Sequence, residues 1–580
     1  MVRGLLLSLV SASLIVYGQQ PAARQQQGAQ SQSEADQAVT RVPPARPFVL
    51  RPRIGVTTDK ELTLQDALAM ALANNKDIDS SRIDREKAVN SVVGANGYFD
   101  PKVGGVTSYQ KNVTPVASTL GGSATGSVIS RTGLADPQLS GTLPWLGSTY
   151  QIDLSSSRTT TNNSFVQLNP QYPTSLNFSF TQPLWRNLRY DDNRHRLAVA
   201  KKNVSLTDEQ FRQRVMQIVT QTEQAYWDLA FAYGNLAVQL DAVNIGREQD
   251  ESNRRQQVQG LLAPIDVVAA QQQLATFEEN AYSAQEALTA AENTLKTLIL
   301  PDRTDPIWSS ALIPITPVNV SSPITPLQDA VRQALDKRPE LAQVQISREI
   351  NETDNRFYRE QAKPQVDLVA THTNAGLAGI QLPAGPNPFT AGLVALTDQI
   401  NQLSVLAGLQ PLPATGGGGT SAGLPPLLVG GYGQSLSNLF NTNFPTTQVQ
   451  LRISLPLRNR TAEANLNNSL AETRRIRNQR LQTEQSIEAS VRNAMQSVDS
   501  AKARLESARV ARESAEQQYQ SEQRQFRAGT STLFLVQQRQ TAMITARSQQ
   551  QRAEADLGKA IANFGLATGT ILDTDNIQLR

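Results

Sequence analysis

The sequence predicts an α+β membrane protein in which amphipathic β-strands are joined to very long α-helices, the whole arrangement occurring twice. Three observations carry this. The stretch between Pro456 and Gly529 contains neither Gly nor Pro and consists mainly of Ala, Glu, Gln, Arg and Ser, mostly good helix formers. Short segments alternate strictly between apolar and polar residues, with Val449, Leu451, Ile453 and Leu455 set against Gln448, Gln450, Arg452 and Ser454. Finally, Leu64-Gln65-Asp66-Ala67-Leu68 recurs as Leu327-Gln328-Asp329-Ala330-Val331, at an offset of 263 positions that also aligns Arg85-Glu86 with Arg348-Glu349 and Pro101 with Pro364.

From the N-terminus, Met1-Val2-Arg3-Gly4 precedes an apolar run from Leu5 to Val16, so residues 1–18 read as a secretory signal peptide, well short of the ~20 apolar residues of a spanning helix. Residues 19–60, rich in Gln, Ala, Pro and Arg without an apolar period, read as a flexible extension. Residues 61–300 form the first copy of the repeat, 301–326 a Pro-rich connection, 327–572 the second copy and 573–580 a tail. Within the second copy, residues 374–443 are too long for an ordinary connection and include Gly416 to Gly419.

The helices show their contact face in the sequence. Ile487, Val491, Ala494, Val498, Ala501, Leu505, Ala508, Ala515, Tyr519 and Phe526 fall on alternating steps of four and three, a heptad seam interrupted by Arg512 and Glu522. In the first copy Phe211, Val215, Ile218, Thr222, Ala225 and Leu229 do the same. Tyr226 and Trp227 are expected to fill that seam. Gly260 and Gly529 break the two long helical stretches at matching places and mark tight turns.

Four strands are legible: Leu176-Phe178-Phe180, Val366-Leu368-Ala370, the segment around Gln448 to Leu455, and a weaker one from Tyr98 to Gln110. Tyr150-Ile152-Leu154 marks an extra one, leaving room for a periplasmic hairpin around Leu139 to Leu154. No later segment is apolar enough to span a bilayer as a helix, so a membrane-embedded part has to be β-barrel. Four or five strands cannot close a barrel, whose smallest membrane examples use about eight, so the barrel must be shared between chains.

Composition argues against most chemistry. There is no cysteine, hence no disulfide framework or lipidated cysteine, and only two histidines, His195 and His372, each expected at an interface or in a loop. Asp191-Asp192 and Glu278-Glu279 read as solvated charges on helix faces, with no nucleophile or phosphate loop beside them. No catalytic residue, metal ligand or cofactor site is predicted. The 54 basic residues are interleaved with 51 acidic ones, so no nucleic acid is expected as a partner. Trp185 is left between an interfacial aromatic belt and packing at the strand-to-helix bend.

Taken together, Leu62-Thr63-Leu64-Gln65-Asp66-Ala67, Phe180-Thr181-Gln182-Pro183-Leu184 and the tip Gly260-Leu261-Leu262-Ala263-Pro264-Ile265-Asp266-Val267 resemble the TolC family of outer-membrane efflux proteins, over about Leu62 to Leu572. The resemblance implies a homotrimer in the outer-membrane lipid. Its β-barrel would take about four strands from each chain and continue as a coiled-coil α-helical barrel across the periplasm. It also implies docking with a periplasmic adaptor (membrane fusion) protein and an inner-membrane transporter, and a passive duct rather than an enzyme. On this reading Gly260, Leu261, Leu262, Ala263, Gly529, Thr530 and Ser531 form the adaptor-docking tips. The family's gate maps onto Asp266, Phe526, Leu535 and Gln538. The family's second-copy acids are here Leu535 and Gln538, and its basic and Tyr partners are Ser531 and Phe526, so its ionic lock is expected to be missing. A periplasmic or surface coiled-coil protein is the rival reading, disfavoured by the amphipathic strands.

Overall fold

A computed structural model describes residues 48–117, 122–123, 125–318, 325–382, 391–412 and 424–578. The signal peptide, most of the N-terminal extension and the glycine run 416–419 lie outside them, as does part of the Pro-rich connection. The chain divides into two units, one of residues 1–79, 214–338 and 487–580, the other of residues 80–213 and 339–486.

The second unit is built on one six-stranded antiparallel sheet. Its strands are β2 (Lys102–Pro115), β3 (Ser127–Thr142), β4 (Thr149–Thr161), β5 (Leu168–Pro183), β7 (Gln365–Gln381) and β8 (Phe444–Ser454), adjacent in that order. Six strands correct the expected four. The anticipated hairpin is present, but β3 and β4 hydrogen-bond along most of their length between β2 and β5 and so belong to the sheet itself. Pairing of Lys102 with Ser140 and of Thr149 with Thr181 puts the β3–β4 turn at the end where α2 (Lys76–Asn96), α3 (Asp192–Val258), α6 (Pro339–Gln361) and α9 (Arg460–Arg527) join the strands.

The register sorts the side chains into two faces, because directly paired residues point the same way. On one face Tyr150, Ile152 and Leu154 lie opposite Phe180, Phe178 and Leu176, and Val366, Leu368 and Ala370 opposite Ile453, Leu451 and Val449. On the other, Gln151, Asp153 and Ser155 lie opposite Ser179, Asn177 and Ser175, and Asp367, Val369 and Thr371 opposite Arg452, Gln450 and Gln448. Among the described residues neither β2 nor β8 has a neighbour on its outer side, and both are exposed throughout.

The segment 374–443 is not one loop. Strand β7 runs on to Gln381, and α7 (Ala391–Leu406) and α8 (Tyr432–Phe440) follow. Helix α8 packs on the sheet where Gly376 has no side chain; a Cβ there would come within 2.2 Å of the Ser435 carbonyl. The Ser435 and Thr174 hydroxyls hydrogen-bond at 2.8 Å, and Asn438 donates to the Leu377 carbonyl at 2.9 Å.

In the first unit, β1 (Thr58–Leu62) pairs in parallel with β6 (Ser310–Pro314). Around this pair lie α1 (Leu64–Asn74), α4 (Pro264–Ile299), α5 (Leu327–Lys337), α10 (Leu533–Thr568) and α11 (Ile571–Thr574), together with the later parts of α3 and α9. The two copies match closely: α1 and α5 have 11 residues each, α4 and α10 have 36 each, and α3 and α9 have 67 and 68. At 1.5 Å per residue the last two are about 100 Å long.

Burial follows the predicted seam. Every seam position from Ile487 to Phe526 is buried or half-buried, Val491 and Ala501 completely. Tyr226 and Trp227 are buried in a cluster with Leu62, Leu229, Leu295, Ile299 and Leu312, and the Tyr226 hydroxyl donates to the Leu62 carbonyl at 3.1 Å.

The end of the expected flexible extension is held in place. Phe48 packs beside Tyr282, the Val49 and Arg51 carbonyls accept from Tyr282 and Gln285, and Arg53 pairs with buried Glu292 at 2.6 Å. Glu292 also binds Lys296 at 2.6 Å, whose ammonium donates to the Trp308 and Ser310 carbonyls.

Candidate functional site: the helix tips and the open sheet

Each long helix ends in the same way. Gly260 has φ +73° and Gly529 φ +76°. At the first tip the Gly260 N–H donates to the Gln257 carbonyl and the Leu261 N–H to the Gln256 carbonyl; at the second, Gly529 donates to Phe526 and Thr530 to Gln525. This is the Schellman pattern, which needs a left-handed residue at its centre. The next helix starts at once, with Pro264 in the first turn of α4, and Thr532 capping α10 by accepting from the Leu535 N–H.

The turns leave apolar groups in solvent: Leu261 is 73% exposed and Phe534 70%. Ile265 and Val258 beside them are also exposed. Thr530 is tied to the Gln525 carbonyl at 3.1 Å, and the Ser531 hydroxyl bonds to Glu522, the acid that interrupts the α9 seam. The sequence could not show that Glu522 has this local partner.

Of the gate positions, Leu535 and Gln538 lie one turn apart on the exposed face of α10, opposite Val536 and Met543, which are buried. Phe526 packs against the cluster containing those two residues. Asp266 sits in the first turn of α4, where a carboxylate favours the helix dipole. Among the described residues no hydrogen bond joins Asp266 to Ser531.

The first unit also contains a cavity of about 810 Å³, lined by Glu223, Trp227, Leu327, Arg492, Lys502 and Asp575 among others. Burial, then the neighbouring Asp575 carboxyl, pushes the Glu223 carboxyl up to about 9, and burial raises Asp575 as well. Two carboxyls out of water share a proton more cheaply than they both ionise. Nothing in the sequence joins positions so far apart.

The remaining chemistry-bearing residues have structural roles. His195 contacts Asp354 at 2.7 Å and stacks on Phe357, and His372 lies within β7 bonded to Thr447, so neither is a loop histidine. Asp191 is not solvated: it is buried, accepts from the Arg194 N–H at the start of α3 and pairs with the Arg194 side chain. Trp185 is 52% exposed, so packing at the bend does not bury it. Among the described residues no group of His, Cys, Asp and Glu could hold a metal ion, and no helix is long and apolar enough to cross a membrane.

A sheet with one apolar and one polar face and two unpaired edges, running into helices about 100 Å long that end in tight tips, defines the class of outer-membrane channels with a periplasmic extension. The profile of the outer membrane efflux protein family matches residues 149–299 and 421–570, and the chain belongs to that family. Its place is the outer membrane, extending into the periplasm, and its work is that of the channel in a tripartite efflux system. Solved structures share the fold at low identity. The chain is similar to the outer-membrane channel OprN (15% identity, TM-score 0.58, covering 87% of this chain and 89% of that one). It is also similar to the Campylobacter jejuni CmeC outer membrane channel (14%, 0.59, 92% and 94%) and to the outer membrane protein VceC of Vibrio cholerae (16%, 0.56, 87% and 96%). No curated protein matches the sequence.

Proposed function

We propose that three copies of this chain close one barrel, the β8 edge of each pairing with the β2 edge of the next. The observation that carries this is the six-stranded sheet, apolar on one face and polar on the other, with both edges unpaired. Six strands are too few to close alone, and open edges in lipid leave backbone groups unsatisfied. Three copies give about 18 strands rather than the 12 expected from four per chain. With strands ~4.8 Å apart and tilted ~40°, the backbone radius rises from roughly 12 Å to roughly 18 Å. Barrels of that strand number leave an aqueous channel.

The apolar rows of that face then meet lipid, short of the row at Ser156, Thr174 and Gly376 where α8 covers it, and Gln151, Asp153, Asn177, Gln448 and Arg452 line a wet lumen. The helices conduct substrate passively. The sequence has no phosphate-binding GxxxxGK[ST] loop, which supports an energy source in an inner-membrane transporter. The tips around Gly260, Leu261, Leu262, Ala263, Gly529, Thr530 and Ser531 are the docking surface for a periplasmic adaptor, because exposed apolar groups at a helix end mark a contact site. Leu535 and Gln538 form an uncharged constriction near those tips, with Phe526 packed behind it and Asp266 in the first turn of α4.

The chain lacks cysteine, so single pairs can be introduced cleanly. Cysteines scanned along β2 against cysteines on β8 should give disulfide-linked dimers and trimers in one register, and unboiled gels should show a heat-sensitive trimer. A monomer with no crosslinks at any register would refute the shared barrel.

A further inference from the structure

We propose that Lys111, Arg131 and Arg158 form a binding site for the phosphates of the outer-leaflet glycolipid, on the lipid-facing side of the barrel; this rests on the barrel reading above. Lys111 on β2 lies directly opposite Arg131 on β3, and Arg158 on β4 lies opposite Gly133, one row from Arg131. Directly paired side chains have Cβ atoms ~5 Å apart and diagonal ones ~7–8 Å, and like charges set opposite each other destabilise a sheet. All three side chains are exposed, and none has an ion-pair partner among the described residues. The register puts all three on the face of Ile152 and Phe178. That face carries no acid on any of the six strands, since Asp136, Asp153 and Asp367 lie on the other one. Such a cluster calls for an external anion.

Its height identifies the anion. Arg158 is four residues along β4 from Leu154, the last apolar residue of the Tyr150-Ile152-Leu154 row, in the direction away from the helices, and between them Ser156 on the same face bonds at 2.9 Å to Tyr432 of α8, which marks the end of the apolar belt. Four residues are about 13 Å of strand, or roughly 10 Å along the membrane normal at ~40° tilt. The guanidinium therefore lies beyond the last apolar row, at the headgroup level of the outer leaflet. Tyr109, 72% exposed and opposite Gly133, sits one row nearer the belt, where a girdle aromatic is favoured. Guanidinium groups suit phosphate through paired N–H donors. The strands β3 and β4 that supply both arginines are the two additional to the expected four.

The test uses the full-length trimer in detergent, titrated with lipid A and with lipid A stripped of its phosphates, bound lipid being counted by native mass spectrometry. Each basic residue at an anionic surface contributes about fivefold, so lipid A should bind on the order of a hundredfold tighter than the stripped lipid, and the difference should shrink with salt. The triple variant Lys111→Gln, Arg131→Gln, Arg158→Gln should lose it. The wild-type comparison of the two lipids needs no variant and decides the matter if the triple variant fails to assemble. Equal binding of both lipids by a trimer with normal heat sensitivity and conductance would overturn the lipid site while leaving the barrel intact. Absence of any trimer would overturn both.

Discussion

Replacing Glu223 by Gln should weaken the pH dependence of the stability of the first unit. In the folded chain Glu223 is 6% exposed and its carboxyl is hydrogen-bonded to Asp575, with Arg492, Asp499 and Lys502 of α9 lining the same cavity. Its pKa stands at about 9 against an ordinary 4.5. The native state therefore keeps a proton that the unfolded chain has released. The stabilisation is complete below about 4.5 and is lost progressively as pH rises towards 9. One proton in that window changes stability by about 1.4 kcal/mol per pH unit, so raising pH from ~6 to ~8 costs roughly 2.7 kcal/mol. For a unit of this size that is about 5 °C in thermal midpoint. The amide introduced by Glu223→Gln retains a hydrogen-bond donor to Asp575 and has no proton to lose. The variant's thermal midpoint, followed by circular dichroism in detergent, should therefore fall less steeply with pH over the range, with only the burial-raised Asp575 carboxyl of the pair left to titrate. Equal pH slopes for the wild type and Glu223→Gln would show that the pair does not hold the proton.

Four further outcomes are expected. Gly529→Ala meets no neighbour within 4 Å but places a Cβ in left-handed backbone, so the tip should weaken by about 1–2 kcal/mol, read as faster hydrogen exchange in the turn, with the trimer unaffected. Leu261→Glu, at a 73% exposed position, should leave the trimer and membrane level unchanged while reducing adaptor pull-down and export. Lys296→Met removes one of the two cations on buried Glu292 and should cost about 3 kcal/mol, seen as a lowered thermal midpoint, whereas Glu292→Gln with Lys296→Met should recover part of it. Leu535→Asp with Gln538→Asp should introduce cation selectivity and block by multivalent cations in planar-bilayer recordings, both weak in the wild type.

The sequence disclosed the long helices because their period survives over dozens of residues: each seam position from Ile487 to Phe526 carries a burial signal, and Gly260 and Gly529 are fixed by backbone geometry that few other residues adopt. The N-terminal arm was invisible for the opposite reason. Apart from Phe48 and Arg53 it is held by backbone carbonyls that accept from Tyr282 and Gln285, and a carbonyl leaves no trace in residue identity. The sheet was legible only in part, and the part is instructive. Alternation is sharp at Leu176 to Phe180 and Val449 to Ile453, where one face is apolar. It disappears at Ser127 to Gly133 and at Ser155 to Thr161, although both stretches lie in hydrogen-bonded strands. A strand shows a period of two only where its faces meet different solvents; where one face is wet and the other meets α8 through hydroxyls such as Ser156 and Thr174, Ser, Thr, Gly and Arg serve on either side. The vanishing of the pattern along β3 and β4 therefore marks where these strands leave the apolar belt. Arg131 and Arg158 fall just beyond that boundary, which is why a cluster that composition treats as surface charge acquires a defined depth once the register is known.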